Sequence, residues 1–349
     1  MTTVFNQDRE GKITQNPASH GGYAIETKGL SKSFDKVKAV TSLDLKVEEG
    51  SLYALLGPNG AGKTTTINLL TTLIAPDSGL ATVAGYNVAT QPNQVRRNIG
   101  VTFQEVALDR NLTGRSLLDI HGRLYRLPQA EIKKRTQQLI KLVELEDVLD
   151  RQVKTFSGGM KRRLELARGL LTEPRILFLD EPTVGLDPHN RERIWAYLQE
   201  LRSKQNITIM LTTHYLDEAE RLADKVGIID EGKLVVEGSP GGLIASLGTD
   251  VVKLTGTGDI ARFKEILREQ EWIAAFRVAR AGSEEETPAG EETSGLFDIL
   301  VNLASEAGRS VKPLVDLAER SGFNVEDVSL QRPTLNEVFF KYTGRRLRD

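Results

Sequence analysis

The stretch GPNGAGKTT, Gly57 to Thr65, limits what this chain can fold into more than any other feature. It matches the spacing G-x-x-x-x-G-K-[ST], follows a short apolar run, LYALLG from Leu52, and leads into a helix-like stretch from Thr64 to Leu73. Strand, glycine-rich turn and helix, in that order, are what a phosphate-binding loop requires. Glycines let backbone amides wrap the oxyanion, a lysine adds a point charge, and the helix N-terminus adds its dipole. Gly57, Pro58, Asn59, Gly60, Ala61, Gly62, Lys63, Thr64 and Thr65 are therefore expected to cradle phosphates. Lys63 would reach the β and γ phosphates, and the Thr64 hydroxyl would ligate Mg²⁺. A glycine turn without a ligand is the competing reading, and the flanking elements count against it.

The rest of the chain supplies the frame such a loop needs. YAIETKGLSKSF from Tyr23 and VKAVTSLDLKV from Val37 alternate apolar and polar residues as half-buried antiparallel strands do. RILFLD, ending at Asp180, and ITIMLTTH, ending at His214, read as buried strands each followed by a helix, which predicts a parallel sheet covered by helices. From Glu105 to Phe156 the β pattern gives way to helical spacing, as in Ile132, Leu139, Leu142 and Val143, so a helical subdomain is expected at about 105–160. VGIIDEGKLVVEG, Val226 to Gly238, predicts a hairpin turning at Glu231 and Gly232. After the punctuation at 238–242 the order strand, helix, strand occurs twice, which predicts a second, α+β domain resembling a ferredoxin-like sandwich. The expected division is a flexible tail at 1–22, an α/β domain at 23–245 and the α+β domain at 246–349, with a solvated acidic loop at 282–295.

Composition excludes several functions. With 349 residues, 39% of them hydrophobic, the chain can bury one large core and a smaller second one. A net charge of -2 offers no field to nucleic acid, zero Cys removes thiolate chemistry, and four His leave little scope for a histidine metal cluster. No run approaches the roughly 18 apolar residues of a membrane-spanning helix, so a path across a membrane would come from another polypeptide.

Further chemistry lies at Asp180 and Glu181, adjacent acids closing a buried strand at the end of a parallel sheet where ligands collect. Asp180 is expected in the Mg²⁺ shell, and Glu181 is expected to polarise the attacking water. FSGGM, Phe156 to Met160, precedes the helical run KRRLELARGLL, so Ser157 is a candidate helix cap whose glycines admit a phosphate. Lys161, Arg162 and Arg163 read by default as a solvated helix face.

The order of these motifs carries a resemblance. The phosphate loop, Gln104 in TFQE, FSGGM, LFLDEP, GLDP with Asp187, and His214 in LTTH follow one another as in the ATP-binding cassette (ABC) ATPases, across residues 24 to 245. FSGGM departs from the commoner LSGGQ but keeps the serine and both glycines. The resemblance implies a P-loop NTPase fold of the ABC type, with a mixed sheet core, an antiparallel β subdomain and a helical subdomain. It also implies ATP and Mg²⁺ as cofactors, and two copies paired head to tail around two ATP molecules. Lys63, Thr64, Gln104, Asp180, Glu181 and His214 of one copy would then work with Ser157, Gly158 and Gly159 of the other, Asp187 linking the two sites. Gln104 would join Thr64 and Asp180 at the metal, and His214 would meet the γ-phosphate. Phe34 would stack on adenine, a core aromatic being the alternative. SGGMKRRLELARGLL, GLDP and RPTLNEVFFKYTGR further resemble the daunorubicin-resistance type of exporter subunit. That implies a cytoplasmic ATPase, peripheral on the inner face of the cell membrane, working with a membrane-spanning permease subunit and without nucleic acid. A cassette acting on ribosomes or DNA is the rival; the single P-loop and the short interval from it to FSGGM count against it. The C-terminal domain reads as a packing or dimer-stabilising element.

Overall fold

The computed structural model describes residues 6–7, 13–14, 22–103, 108–247, 251–281, 295–303, 311–331 and 334–344. Gln104, most of the expected tail and all but Gly295 of the expected acidic loop lie outside these residues. The chain divides into two compact units between Ser239 and Pro240.

In the first unit, β1 (Asn6–Gln7) pairs with β2 (Ile13–Thr14). The long strands β3 (Tyr23–Phe34) and β4 (Val37–Glu48) form an antiparallel hairpin. Then come β5 (Leu52–Leu56), α1 (Lys63–Leu70), β6 (Ser78–Val83), β7 (Tyr86–Asn87), α2 (Pro92–Asn98) and β8 (Ile99–Thr102). The helical region holds α3 (Gly114–Leu124) and α4 (Gln129–Leu142), and α5 (Gly158–Leu170) leads back to the sheet. The unit continues through β9 (Ile176–Asp180), α6 (Pro188–Gln205), β10 (Thr208–Thr213), α7 (Leu216–Leu222), β11 (Lys225–Asp230) and β12 (Lys233–Gly238).

A six-stranded sheet in the order β12-β11-β5-β10-β9-β8 is parallel except for the edge strand β12. Every residue of β5, β9 and β10 is buried, which is why these segments are continuous apolar runs rather than alternating ones. A four-stranded antiparallel sheet, β4-β3-β6-β7, keeps its alternation instead. Leu43, Leu45 and Val47 of that sheet share a core with Ile67 and Leu70 of α1 and with Tyr53, Phe178 and Met210 of the large sheet. Helix α1, and the loop that starts it, is therefore held from both sides. The expected hairpin turn is present: Glu231 and Gly232 have φ of 47° and 76°, the two left-handed residues of a tight hairpin turn. Helices α3 and α4 approach closely at Gly122, where a Cβ would sit 2.6 Å from Ile132.

The second unit holds α8 (Pro240–Ala245), β13 (Val251–Gly258), α9 (Ile260–Arg268), β14 (Ile273–Arg280), β15 (Phe297–Leu303), α10 (Val311–Ser321), β16 (Phe323–Gln331) and α11 (Leu335–Thr343). Its sheet order, β14-β15-β13-β16, with all pairs antiparallel and helices in both crossovers, is the ferredoxin-like topology. Phe263 of α9 and Phe323 of β16 stack at 5.3 Å between ring centroids within its core. Among the described residues no helix is long and apolar enough to cross a membrane.

Candidate functional site

The phosphate loop leaves β5 through Gly57, where a Cβ would lie 2.4 Å from the Ile229 carbonyl oxygen. Gly62 turns at a φ of 104°, with its missing Cβ 2.3 Å from the Ala39 carbonyl oxygen. Both positions thus admit glycine alone. Gly60, at a φ of 82°, faces open space. Gly62 caps α1 without a side-chain hydrogen bond, so no side chain competes with an anion for the first-turn amides. Pro58 and Thr65 are half-buried, Ala61 is buried, and Asn59, Gly60 and Thr64 are exposed along the loop.

Lys63, the first residue of α1, is 4% exposed. Its ammonium lies 2.7 Å from the Gly57 carbonyl, 3.2 Å from that of Pro58 and 3.1 Å from Glu181 Oε1. His214, directly after β10, places Nδ1 3.2 Å from the same Glu181 oxygen. Three motifs distant in sequence therefore meet on one buried carboxylate. Asp180 is the last residue of β9, and Thr212 of β10 donates its hydroxyl to Asp180 Oδ1 while accepting the Glu181 N–H at 3.0 Å. Glu181 has a φ of 47°, a left-handed conformation that costs a non-glycine residue on the order of 1 kcal/mol or more. Asp180 and the Thr64 hydroxyl are hard oxygen donors, a set that fits Mg²⁺ completed by phosphate oxygens and water. Among the described residues no group of three or more His, Asp or Glu side chains forms a separate metal cluster.

Ser157 caps α5, its hydroxyl accepting the Met160 N–H at 3.2 Å. The Met160 sulfur accepts the Ser157 N–H at 3.5 Å, standing where a glutamine or glutamate completes a capping box. Gly158 is exposed with nothing near its Cβ position, whereas Gly159 rests against Asn190. Asp187 caps α6 by accepting the backbone N–H of Asn190 at 3.0 Å and its side-chain amide at 2.6 Å, and these bonds hold its carboxyl below the usual range. Ser157, Gly158 and Asp187 thus lie exposed at the N-termini of α5 and α6. Phe34 is 47% exposed beneath the Lys32 ammonium, which rules out the core-aromatic alternative for that ring.

Several residues at this site carry no motif. Thr212 orients both acids, and only its place one residue before Thr213-His214 hints at that. Glu218 of α7 is wholly buried and accepts from the Thr183 hydroxyl and the Trp195 indole, both at 2.9 Å; burial raises its pKa. The expected solvated face on α5 is corrected at Arg162, which is 4% exposed. It turns inward because Glu165, one helical turn on and 0% exposed, pairs with it at 3.0 Å, and because main-chain carbonyls accept its remaining donors.

A glycine loop at the carboxyl end of a parallel sheet, with a lysine facing a strand-end acid pair, defines a P-loop nucleoside-triphosphate hydrolase. Residues 40–184 match the family model described as ABC transporter. The chain is 39% identical over 325 residues to the daunorubicin resistance ATP-binding protein DrrA2 of Streptomyces coeruleorubidus, covering 93% of this chain and 96% of that protein. It is 36% identical to the Nod factor export ATP-binding protein I of Ralstonia nicotianae, covering 93% and 95%. The dimeric structure of MJ0796, a bacterial ABC transporter cassette, superposes with a TM-score of 0.57 at 26% identity, covering 62% of this chain and 98% of that one. The chain belongs to the ABC transporter family, as one of its ATP-hydrolysing, ATP-binding subunits.

Proposed function

We propose that this subunit couples ATP binding and hydrolysis to export through a separate membrane-spanning permease subunit, from the cytoplasmic face of the cell membrane. The export assignment rests on the resistance and export functions in its relatives' names. The ATPase site rests on one observation above all: Lys63 and His214 converge on Glu181 beside the uncapped start of α1.

In this reading the phosphate loop and the first-turn amides of α1 bind the β and γ phosphates, and Phe34 stacks on adenine. Lys63 exchanges its contact with Glu181 for phosphate oxygen, because its ammonium has three donors, and the two it gives to Gly57 and Pro58 shape the loop itself. Glu181 then accepts a hydrogen bond from the attacking water, while His214 steadies the carboxylate and meets the γ-phosphate. Thr64, Asp180 and Gln104 would hold Mg²⁺, which when bound offsets the charge on the phosphate oxygens. Ser157, Gly158 and Gly159 of a second copy close the site, and Asp187 links the two sites of the pair. Closure and reopening of the pair is the motion passed to the permease.

Glu181→Gln tests the core of this reading. Calorimetry should show ATP binding retained and tightened several-fold, since the carboxylate that competes for Lys63 is gone, while phosphate release falls at least about a hundredfold. Turnover near the wild-type rate would reject the role given to Glu181.

A further inference from the structure

We infer that Arg162 is a positioning residue for hydrolysis: its guanidinium clamps the main chain that carries Asp180 and Glu181 and ties it to the end of β8. The inference rests on the reading that Glu181 activates water.

The guanidinium has five N–H donors in a fixed fork, and the structure uses all of them. Nε donates to the Pro182 carbonyl at 2.8 Å, and Nη2 donates to those of Asp180 at 2.9 Å and Glu181 at 3.1 Å. Nη1 donates to the Phe103 carbonyl and to Glu165 Oε2, the latter at 3.0 Å. Three consecutive carbonyls thus point at one planar cation. Such convergence suits a segment that must hold Glu181 at a φ of 47°, because a strained backbone persists only where its surroundings over-determine it. Glu165 supplies the counter-charge that a 4% exposed arginine needs. Next along the chain, Glu218 accepts the Thr183 hydroxyl, so the turn from Asp180 to Thr183 is held by a hydrogen bond at each successive residue.

The clamp also has a direction. Arg162 stands on α5, the helix capped by Ser157, and Phe103 immediately precedes Gln104 in sequence. One side chain therefore joins the serine-capped helix, the strand end leading to Gln104 and the acid pair, so that displacement of α5 reaches Glu181 through hydrogen bonds rather than through loose packing. Lysine cannot replace this, because a single ammonium with three donors does not span these acceptors.

Arg162→Lys in the full chain tests the inference, with ATP affinity by calorimetry, kcat and KM from phosphate release, and the thermal midpoint measured together. The expected result is affinity and KM within about threefold of wild type, with kcat lowered at least about tenfold. In the Glu181→Gln background the same substitution should cause no further fall, because Arg162 acts through Glu181. Wild-type kcat in Arg162→Lys, or a full additional loss in the Glu181→Gln background, would overturn the inference. Should Arg162→Lys fold poorly, Arg162→Gln decides the matter: it buries no unpaired cation and leaves Glu165 its second partner, Arg168, yet cannot span the four carbonyls, so kcat should fall at least about tenfold with ATP affinity within about threefold of wild type. A folded Arg162→Gln with wild-type kcat would overturn the inference. Hydrolysis by Glu181→Gln alone at the wild-type rate would sink the underlying reading whatever Arg162→Lys does.

Discussion

His121, in the last turn of α3, shows how one half-buried side chain sets a pH limit on the fold. Burial first, and the nearby Arg168 charge second, push its pKa from 6.5 down to about 4. The unfolded chain takes up a proton near the ordinary value while the folded chain refuses it until about pH 4. Stability from this residue is therefore complete above about pH 6.5 and is lost as pH falls towards 4. At about pH 5 the loss should be on the order of 1–2 kcal/mol, and His121→Gln should remove that part of the acid sensitivity. Denaturant midpoints at about pH 7.5 and pH 5 check this; equal slopes with pH in the two proteins would contradict it. At this scale Lys63 and Glu181 were legible as individuals, because a phosphate loop and a strand-end acid pair have fixed spacings. Their mutual contact at 3.1 Å was not, since spacing in sequence carries no information about what a lysine touches across a sheet. Arg162 was misread for a related reason: a basic run on a helix looks solvated until a buried glutamate one turn on is recognised as its counter-charge.

Among the elements, α5 carries the clearest departure from the commoner LSGGQ signature. Its N-terminal box is closed by the Met160 sulfur at 3.5 Å, a weak acceptor, where an amide oxygen would accept the Ser157 N–H more strongly. Met160→Gln should therefore stabilise the ATP-binding unit by about 0.5 kcal/mol, read as a rise in thermal midpoint, because capping residues contribute in that range. A fall in midpoint would mean that Met160 contributes more through packing than the cap loses. The strands were the easiest elements to read. β5, β9 and β10 are continuous apolar runs because both faces of their sheet are covered, and β3 and β4 alternate because theirs is not. Helix α1 ends at Leu70 rather than at the expected Leu73, because the Thr71 hydroxyl bonds back to the Ile67 carbonyl and Thr72 turns left-handed at a φ of 65°. Threonines inside an apolar pattern do not announce such a stop.

Across the whole molecule, the residues proposed for one ATP site fall into two groups on the first unit. Lys63, Glu181 and His214 meet at the phosphate loop, whereas Ser157, Gly158 and Asp187 lie exposed at the N-termini of α5 and α6. The ferredoxin-like unit adds its own core through the Phe263 and Phe323 stack and contributes no residue to either group. In the head-to-tail pair proposed above the two groups come together, which would make the site a property of the pair rather than of the chain. Mixing two inactive variants tests this most directly. Lys63→Ala removes a charged phosphate contact and should lower ATP affinity by about ten- to a hundredfold, and Ser157→Arg should obstruct only the one site that its own serine loop caps; each alone should be nearly inert. In a mixed pair one site combines the intact loop of the Ser157→Arg chain with the intact serine of the Lys63→Ala chain. An equal mixture should regain up to about a quarter of wild-type phosphate release, half the pairs being mixed with one good site of two, by the arithmetic of random assembly. A mixture as inactive as its components, at any ratio, would contradict the shared site.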